Sequence, residues 1–132
     1  MLEIGCGHGI ATGLVLAAGA SVVAIDRSAK MIEGCRKRNP AVDARVGMFE
    51  DMAPGDFDAA LAINVDFPRH EDRGWAAALR KAGRIVLVLE APVVRTADQF
   101  AMHAAAALVG VGFEVHTNLF DRMAAVVGRR LG

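Results

Sequence analysis

Glu3-Ile4-Gly5-Cys6-Gly7-His8-Gly9 joins a short apolar run, Leu2–Gly5, to a segment of helical period, Gly9–Ala18. Alternate glycines at a strand-to-helix junction permit backbone conformations closed to other residues and let a ligand approach the main chain. Free N–H groups at the start of the next helix favour a carboxylate or phosphate. The carboxyl ends of strands in an α/β sheet form the usual ligand crevice. Glycines also make tight turns with no ligand, so the junction predicts a crevice without naming its occupant.

Outward from that turn, apolar runs alternate with helical segments, the pattern of βαβ units. Further strands are expected at Ser21–Asp26, Asp43–Gly47, Asp58–Asn64, Arg84–Glu90, Phe113–Asn118 and Met123–Gly128. Ala59–Ile63 and Ile85–Leu89 are continuously apolar, as strands are when helices cover both faces of a parallel sheet. Gly9–Ala18 places Ile10, Leu14 and Ala17 on one side of a first helix. Ser28–Asn39 opens on a capping serine, gathers Met31, Ile32 and Cys35 on one face, and ends in Arg36-Lys37-Arg38, charges that suit a helix carboxyl terminus. Helices are also expected at Glu71–Ala82, with Trp75 and Leu79 four apart, and at the alanine-rich Thr96–Val109. The last two strands are linked by a few residues around Phe120-Asp121-Arg122, too short for a parallel crossover, so they form an antiparallel hairpin.

Composition narrows the function. The 132 residues amount to one domain, with 54% hydrophobic residues and no tyrosine. Fifteen basic and fifteen acidic side chains cancel, which speaks against general nucleic-acid binding. No apolar run has the length to cross a bilayer, and Met1-Leu2-Glu3-Ile4-Gly5 lacks the basic end and apolar stretch of a secretory signal, so none is expected. Two cysteines, Cys6 and Cys35, fit a reducing cytoplasm and not a disulfide framework. With His8 they fall short of the ligand count of a zinc site, so no metal is expected. His103 and His116 read as structural or exposed, Met102 and Met123 as core filler, and Arg129-Arg130 as a solvated tail.

The dinucleotide fingerprint G-x-G-x-x-G/A wants a small residue at position 10, which is Ile. Glu3, two residues before the first glycine, is also foreign to it. E-x-G-x-G-x-G instead resembles the first motif of class I S-adenosylmethionine-dependent methyltransferases, with an NAD-binding domain as the alternative. Val22-Val23-Ala24-Ile25-Asp26 adds an apolar strand ending in an acid able to accept from both hydroxyls of a ribose. NAD sites use the same acid, so glycine turn and Asp26 together indicate a nucleoside before they identify it. Asp26 also has a structural reading, as a turn residue helping to cap the helix after Ser28.

The resemblance covers nearly the whole chain, through Ile25-Asp26-Arg27-Ser28, Gly47-Met48-Phe49-Glu50-Asp51, Phe57–Asn64 and Lys81-Ala82-Gly83-Arg84. It implies a Rossmann-like, doubly wound α/β sheet of seven strands, mostly parallel, with an antiparallel carboxyl-terminal hairpin strand. Gly5, Gly7 and Gly9 would frame the methionine part of S-adenosylmethionine, with Cys6 and His8 offering mainly backbone atoms. Glu3 would orient the loop or accept from the cofactor ammonium through water. Asp26 would hold the ribose, with Arg27 flanking the adenine and Met31 behind it. Phe49 would supply a wall or a backbone N–H to the base, and Asn64 would lie by the reacting methyl.

The chain departs from the family at Met48, where an acid is common and Glu50 is the candidate substitute. Ala82-Gly83 replaces the usual proline-glycine. It also begins inside the first strand, whereas relatives carry helices before it, so an amino-terminally incomplete domain is expected. The implied activity is methyl transfer to a small-molecule acceptor, with a non-catalytic cofactor-binding or interaction module as the alternative. Asp66, Phe67 and His70 follow the fourth strand on the acceptor side, where Asp66 or His70 is the candidate base beside the simpler reading of a solvated loop. An open sheet edge leaves room for a homodimer.

Overall fold

The computed structural model describes residues 1–48, 57–65, 79–80, 83–93 and 95–131. Its elements are β1 (Leu2–Ile4), α1 (Ile10–Ala17), β2 (Val23–Asp26), α2 (Ala29–Arg38), β3 (Asp43–Val46), β4 (Phe57–Ile63), β5 (Gly83–Glu90), α3 (Ala97–Val109), β6 (Phe113–Phe120) and β7 (Met123–Arg130). The strands form one sheet in the order β3-β2-β1-β4-β5-β7-β6. β1 through β5 are parallel, while β7 runs antiparallel to both β5 and β6. This is the expected α/β architecture of seven strands, with a two-residue turn, Asp121-Arg122, closing the hairpin.

Alternation along the strands assigns the two faces. Leu2 and Ile4, Ile25, Ala60 and Ala62, Val86 and Val88, and Ala124 and Val126 meet Phe100, Ala101, Ala104 and Leu108 of α3 in the larger core. The intervening residues Val22 and Ala24 face the other way, joining Ile32 and Cys35 of α2 and Val15 and Leu16 of α1. Helices therefore cover both sides, as a doubly wound sheet requires. Thr96 caps α3 in a reciprocal box with Gln99, and Ser28 Oγ accepts from the Met31 N–H at 3.3 Å to cap α2. Of the helix expected at Glu71–Ala82, only Leu79 and Arg80 are among the described residues. Both are helical, and Leu79 is fully buried. No helix of the described residues is long and apolar enough to cross a membrane.

Four expectations need correction. The face of α1 carrying Ile10 and Leu14 points to solvent, at 66% and 71% exposure. The inward face is instead Thr12, Val15 and Leu16, because the buried Glu3 carboxyl of β1 requires a hydroxyl opposite it. Met102 and Met123 are exposed and not core filler, since Phe100, Ala104 and Leu108 occupy the inward positions of α3 and Ala124 and Val126 those of β7. Ile85 is 45% exposed, so burial on both faces holds for Ala60–Ala62 but not along all of β5. Arg129 and Arg130 belong to β7 and not to a tail, and Arg130 Nη1 donates to the Arg80 carbonyl at 3.0 Å.

Candidate functional site

The carboxyl ends of β1, β2 and β4 converge on the glycine turn. Gly5, Gly7 and Gly9 all have positive φ, at 67°, 55° and 82°. At Gly5 this is doubly required, because a Cβ would lie 2.4 Å from Cγ1 of Val65, which follows β4. Gly9 is the amino-terminal cap of α1, and a Cβ there would meet Asn39 Nδ2 at 2.6 Å and Cys35 Sγ at 2.7 Å. At Gly7 a Cβ would meet nothing within 4 Å. The middle of the turn thus borders open space while its two ends are pressed against protein.

Asp26 fixes the turn from the side. Its Oδ2 accepts from the Gly7 N–H at 3.0 Å, and its Oδ1 accepts from the Ser28 N–H at 2.9 Å. One carboxylate therefore ties the glycine turn to the end of β2 and to the start of α2. Each oxygen keeps a second lone pair, so the group retains the capacity to accept from a vicinal diol. Both readings of Asp26, turn residue and sugar acceptor, are compatible within one geometry. Exposed Arg27 and half-buried Met31 flank it, and Val46 of β3 stands opposite it in the sheet, followed by exposed Met48.

Beneath the turn lies a chain of polar side chains. Glu3 is 3% exposed and accepts a short hydrogen bond from the Thr12 hydroxyl. Burial raises the carboxyl above its ordinary range, opposed by that bond. Cys35 Sγ donates to Thr12 Oγ1 at 3.8 Å. Burial, followed by the neighbouring Cys35, pushes the Cys6 thiol up, so it stays neutral and unreactive. Glu3 thus ties β1 to α1, the two elements that the glycine turn joins. Asn39 Nδ2 completes the brace by donating to the Gly9 carbonyl at 2.9 Å.

The exposed His8 ring packs on α2, since a Cβ on Gly34 would stand 2.4 Å from its Nδ1. Asn64 follows β4 as expected, in the left-handed region at φ 49°. Its Oδ1, however, accepts from the Ala91 N–H at 2.8 Å, and its own N–H donates to the Leu89 carbonyl at 2.8 Å. It clamps the exit of β4 to that of β5. Phe49, Glu50, Asp66, Phe67 and His70 lie outside the described residues. Thr12, Asn39 and Val65 were not singled out from sequence. The available signal was Glu3, an acid inside a strand, which calls for a nearby donor.

Residues 1–87 match a family model described as a methyltransferase domain. An O-methyltransferase of ubiquinone biosynthesis from Xanthomonas campestris is 31% identical, the match covering 77% of this chain and 46% of that protein. The chain thus spans about half the length of the curated relatives it matches. Among solved structures, magnesium protoporphyrin IX methyltransferase from Synechocystis with bound S-adenosylmethionine superposes with a TM-score of 0.81 at 19% identity, over 98% of this chain and 69% of that one. A methyltransferase from Mesorhizobium loti gives 0.79 at 16% identity, over 98% and 89%.

Proposed function

The chain belongs to the methyltransferase-domain family, and on that premise we propose that its 132 residues act as one domain that binds S-adenosylmethionine and passes the methyl group to a small-molecule acceptor in the cytoplasm. The observation that carries this reading is the Asp26 carboxylate bound to the Gly7 N–H. It sets a diol acceptor beside a backbone turn whose central glycine borders open space. The curated O-methyltransferase relatives support the activity, and the Synechocystis enzyme with its bound S-adenosylmethionine supports the cofactor.

S-adenosylmethionine supplies a methyl group already activated on a sulfonium, so alignment is the protein's main task, and good alignment accounts for about 7–11 kcal/mol of barrier. Asp26 holds the ribose. The Gly5–Gly9 backbone cradles the methionine portion, and Met31, Val46 and Met48 provide apolar surface on the base side. Acceptor contacts fall to the segment after β4, where Asp66, Phe67 and His70 are our candidates, and to the apolar, exposed Val93 and hairpin tip Leu119-Phe120 around the end of β5. Met48 puts a thioether, only a weak acceptor, where the family commonly has a carboxylate, which favours a second reading, a domain that binds the cofactor without transfer.

Titration calorimetry with S-adenosylmethionine, S-adenosylhomocysteine and NAD tests the proposal. The two sulfur ligands are expected to bind and NAD not to. Asp26→Ala should weaken binding about 10–100-fold, equivalent to one hydrogen bond to a charged group. Binding of NAD alone would overturn the reading. Alanine at Asp66 or His70 should lower turnover while leaving cofactor affinity unchanged, and turnover equal to that of the parent would remove that residue.

A further inference from the structure

The two edges of the sheet are built differently. β3 has four residues, and its exposed Asp43 and Arg45 form an ion pair at 2.6 Å. Short length and charge are the usual means of blunting an edge. β6 has eight residues, Phe-Glu-Val-His-Thr-Asn-Leu-Phe, with no proline, no lysine and one carboxylate. Among the described residues it pairs with β7 alone. From His116 to Phe120 every residue is exposed.

The hairpin fixes which backbone groups are turned outward. Phe120 stands opposite Met123 across the two-residue turn, and in such a hairpin that closing pair exchanges ladder hydrogen bonds. Bonded and non-bonded pairs then alternate. Phe120, Asn118, His116 and Glu114 accordingly bond to β7, while Phe113, Val115, Thr117 and Leu119 direct their N–H and C=O groups to the open side.

We propose that β6 pairs antiparallel with β6 of a second copy of this chain, about a twofold axis at Val115, joining two sheets into one. In this register Val115 faces its own counterpart, and Phe113 of each copy faces Thr117 of the other, all with outward backbone groups. Glu114 of each copy then stands opposite His116 of the other. Within one copy these side chains already lie 4.0 Å apart. The twofold therefore sets opposite charge against opposite charge on both sides of the axis when His116 is protonated, and a hydrogen-bonding pair when it is neutral. Self-complementarity of this kind is what an isologous interface requires. The pairing does not depend on what the crevice binds.

Sedimentation of the protein over a range of concentrations, with amide exchange at each, tests the proposal. The mass is expected to rise from 13.9 kDa to twice that value. Exchange at the Val115 and Thr117 amides should slow about tenfold or more through the transition, with Glu114 and His116 unchanged. Thr117→Pro removes an outward donor without touching the β7 ladder and should leave a monomer. His116→Glu should weaken the dimer about tenfold by like-charge contact, whereas His116→Lys should retain it. The two His116 variants decide the matter if the proline variant fails to fold. A 13.9 kDa species at every concentration, or a dimer indifferent to the charge at position 116, would overturn the proposal.

Discussion

The half of the molecule built from β1, α1, β2 and α2 and the half built from β5, α3, β6 and β7 are held together by different physics. The second half is apolar bulk: Phe100, Leu108, Val86, Val88 and Val126 are fully buried against one another. The first lends Leu2, Ile4 and Ile25 to that core and, with Ala44 of β3, adds a smaller cluster of Cys6, Val22, Ala24, Ile32 and Cys35 on the other face. It is drawn tight by directed polar contacts, with Glu3 to Thr12, Asp26 to Gly7 and Ser28, and Asn39 to Gly9. Apolar packing tolerates small displacements, whereas a hydrogen-bonded turn holds its N–H groups in one direction. Placing the crevice in the first half separates the source of stability from the source of recognition.

The sharpest challenge to that separation is Phe100→Ala, which should cost about 3–5 kcal/mol in urea unfolding. Cofactor affinity per folded molecule should not change, and a matching loss of affinity would break the distinction. Gly5→Ala should lower stability and affinity together. Its positive φ and the contact with Val65 should cost about 1–3 kcal/mol of stability, and calorimetry should show at least a tenfold loss of S-adenosylmethionine affinity. Thr12→Val strands the buried Glu3 carboxyl and should destabilise by about 1–2 kcal/mol, with a smaller effect on binding.

The smallest effect is a trend with pH. Burial raises the Glu3 carboxyl above its ordinary 4.5. A group raised on folding contributes stability below its unfolded value and loses that contribution as pH climbs through the folded one. Glu3→Gln, which keeps an acceptor for Thr12, should therefore gain in melting temperature relative to the parent as pH rises from 4.5 towards 8. A constant difference would show that Glu3 carries no burial penalty.

Much of this was legible from the chain alone. The segments read as strands match the seven strands among the described residues, Ser28 and the basic final turn bounded α2, and the short link before Met123 identified the hairpin. The glycine spacing located the crevice, because left-handed backbone leaves a direct trace in residue type. Side-chain partnership leaves a weaker one. α1 has apolar residues on both faces, and only the burial of Glu3 selects Thr12, Val15 and Leu16 as the inward set. The position of Asn64 was legible. Its bond to Ala91 was not, since it depends on the register between β4 and β5.

The register also bears on synthesis. β1 sits mid-sheet between β2 and β4, with Leu2 paired to Val23 on one side and to Ala60 on the other. As the chain leaves a ribosome, the middle of the sheet emerges with one flank bare until β4 follows. Such distant pairing slows folding, so the half-built sheet is the stage at which a chaperone would have most to shield.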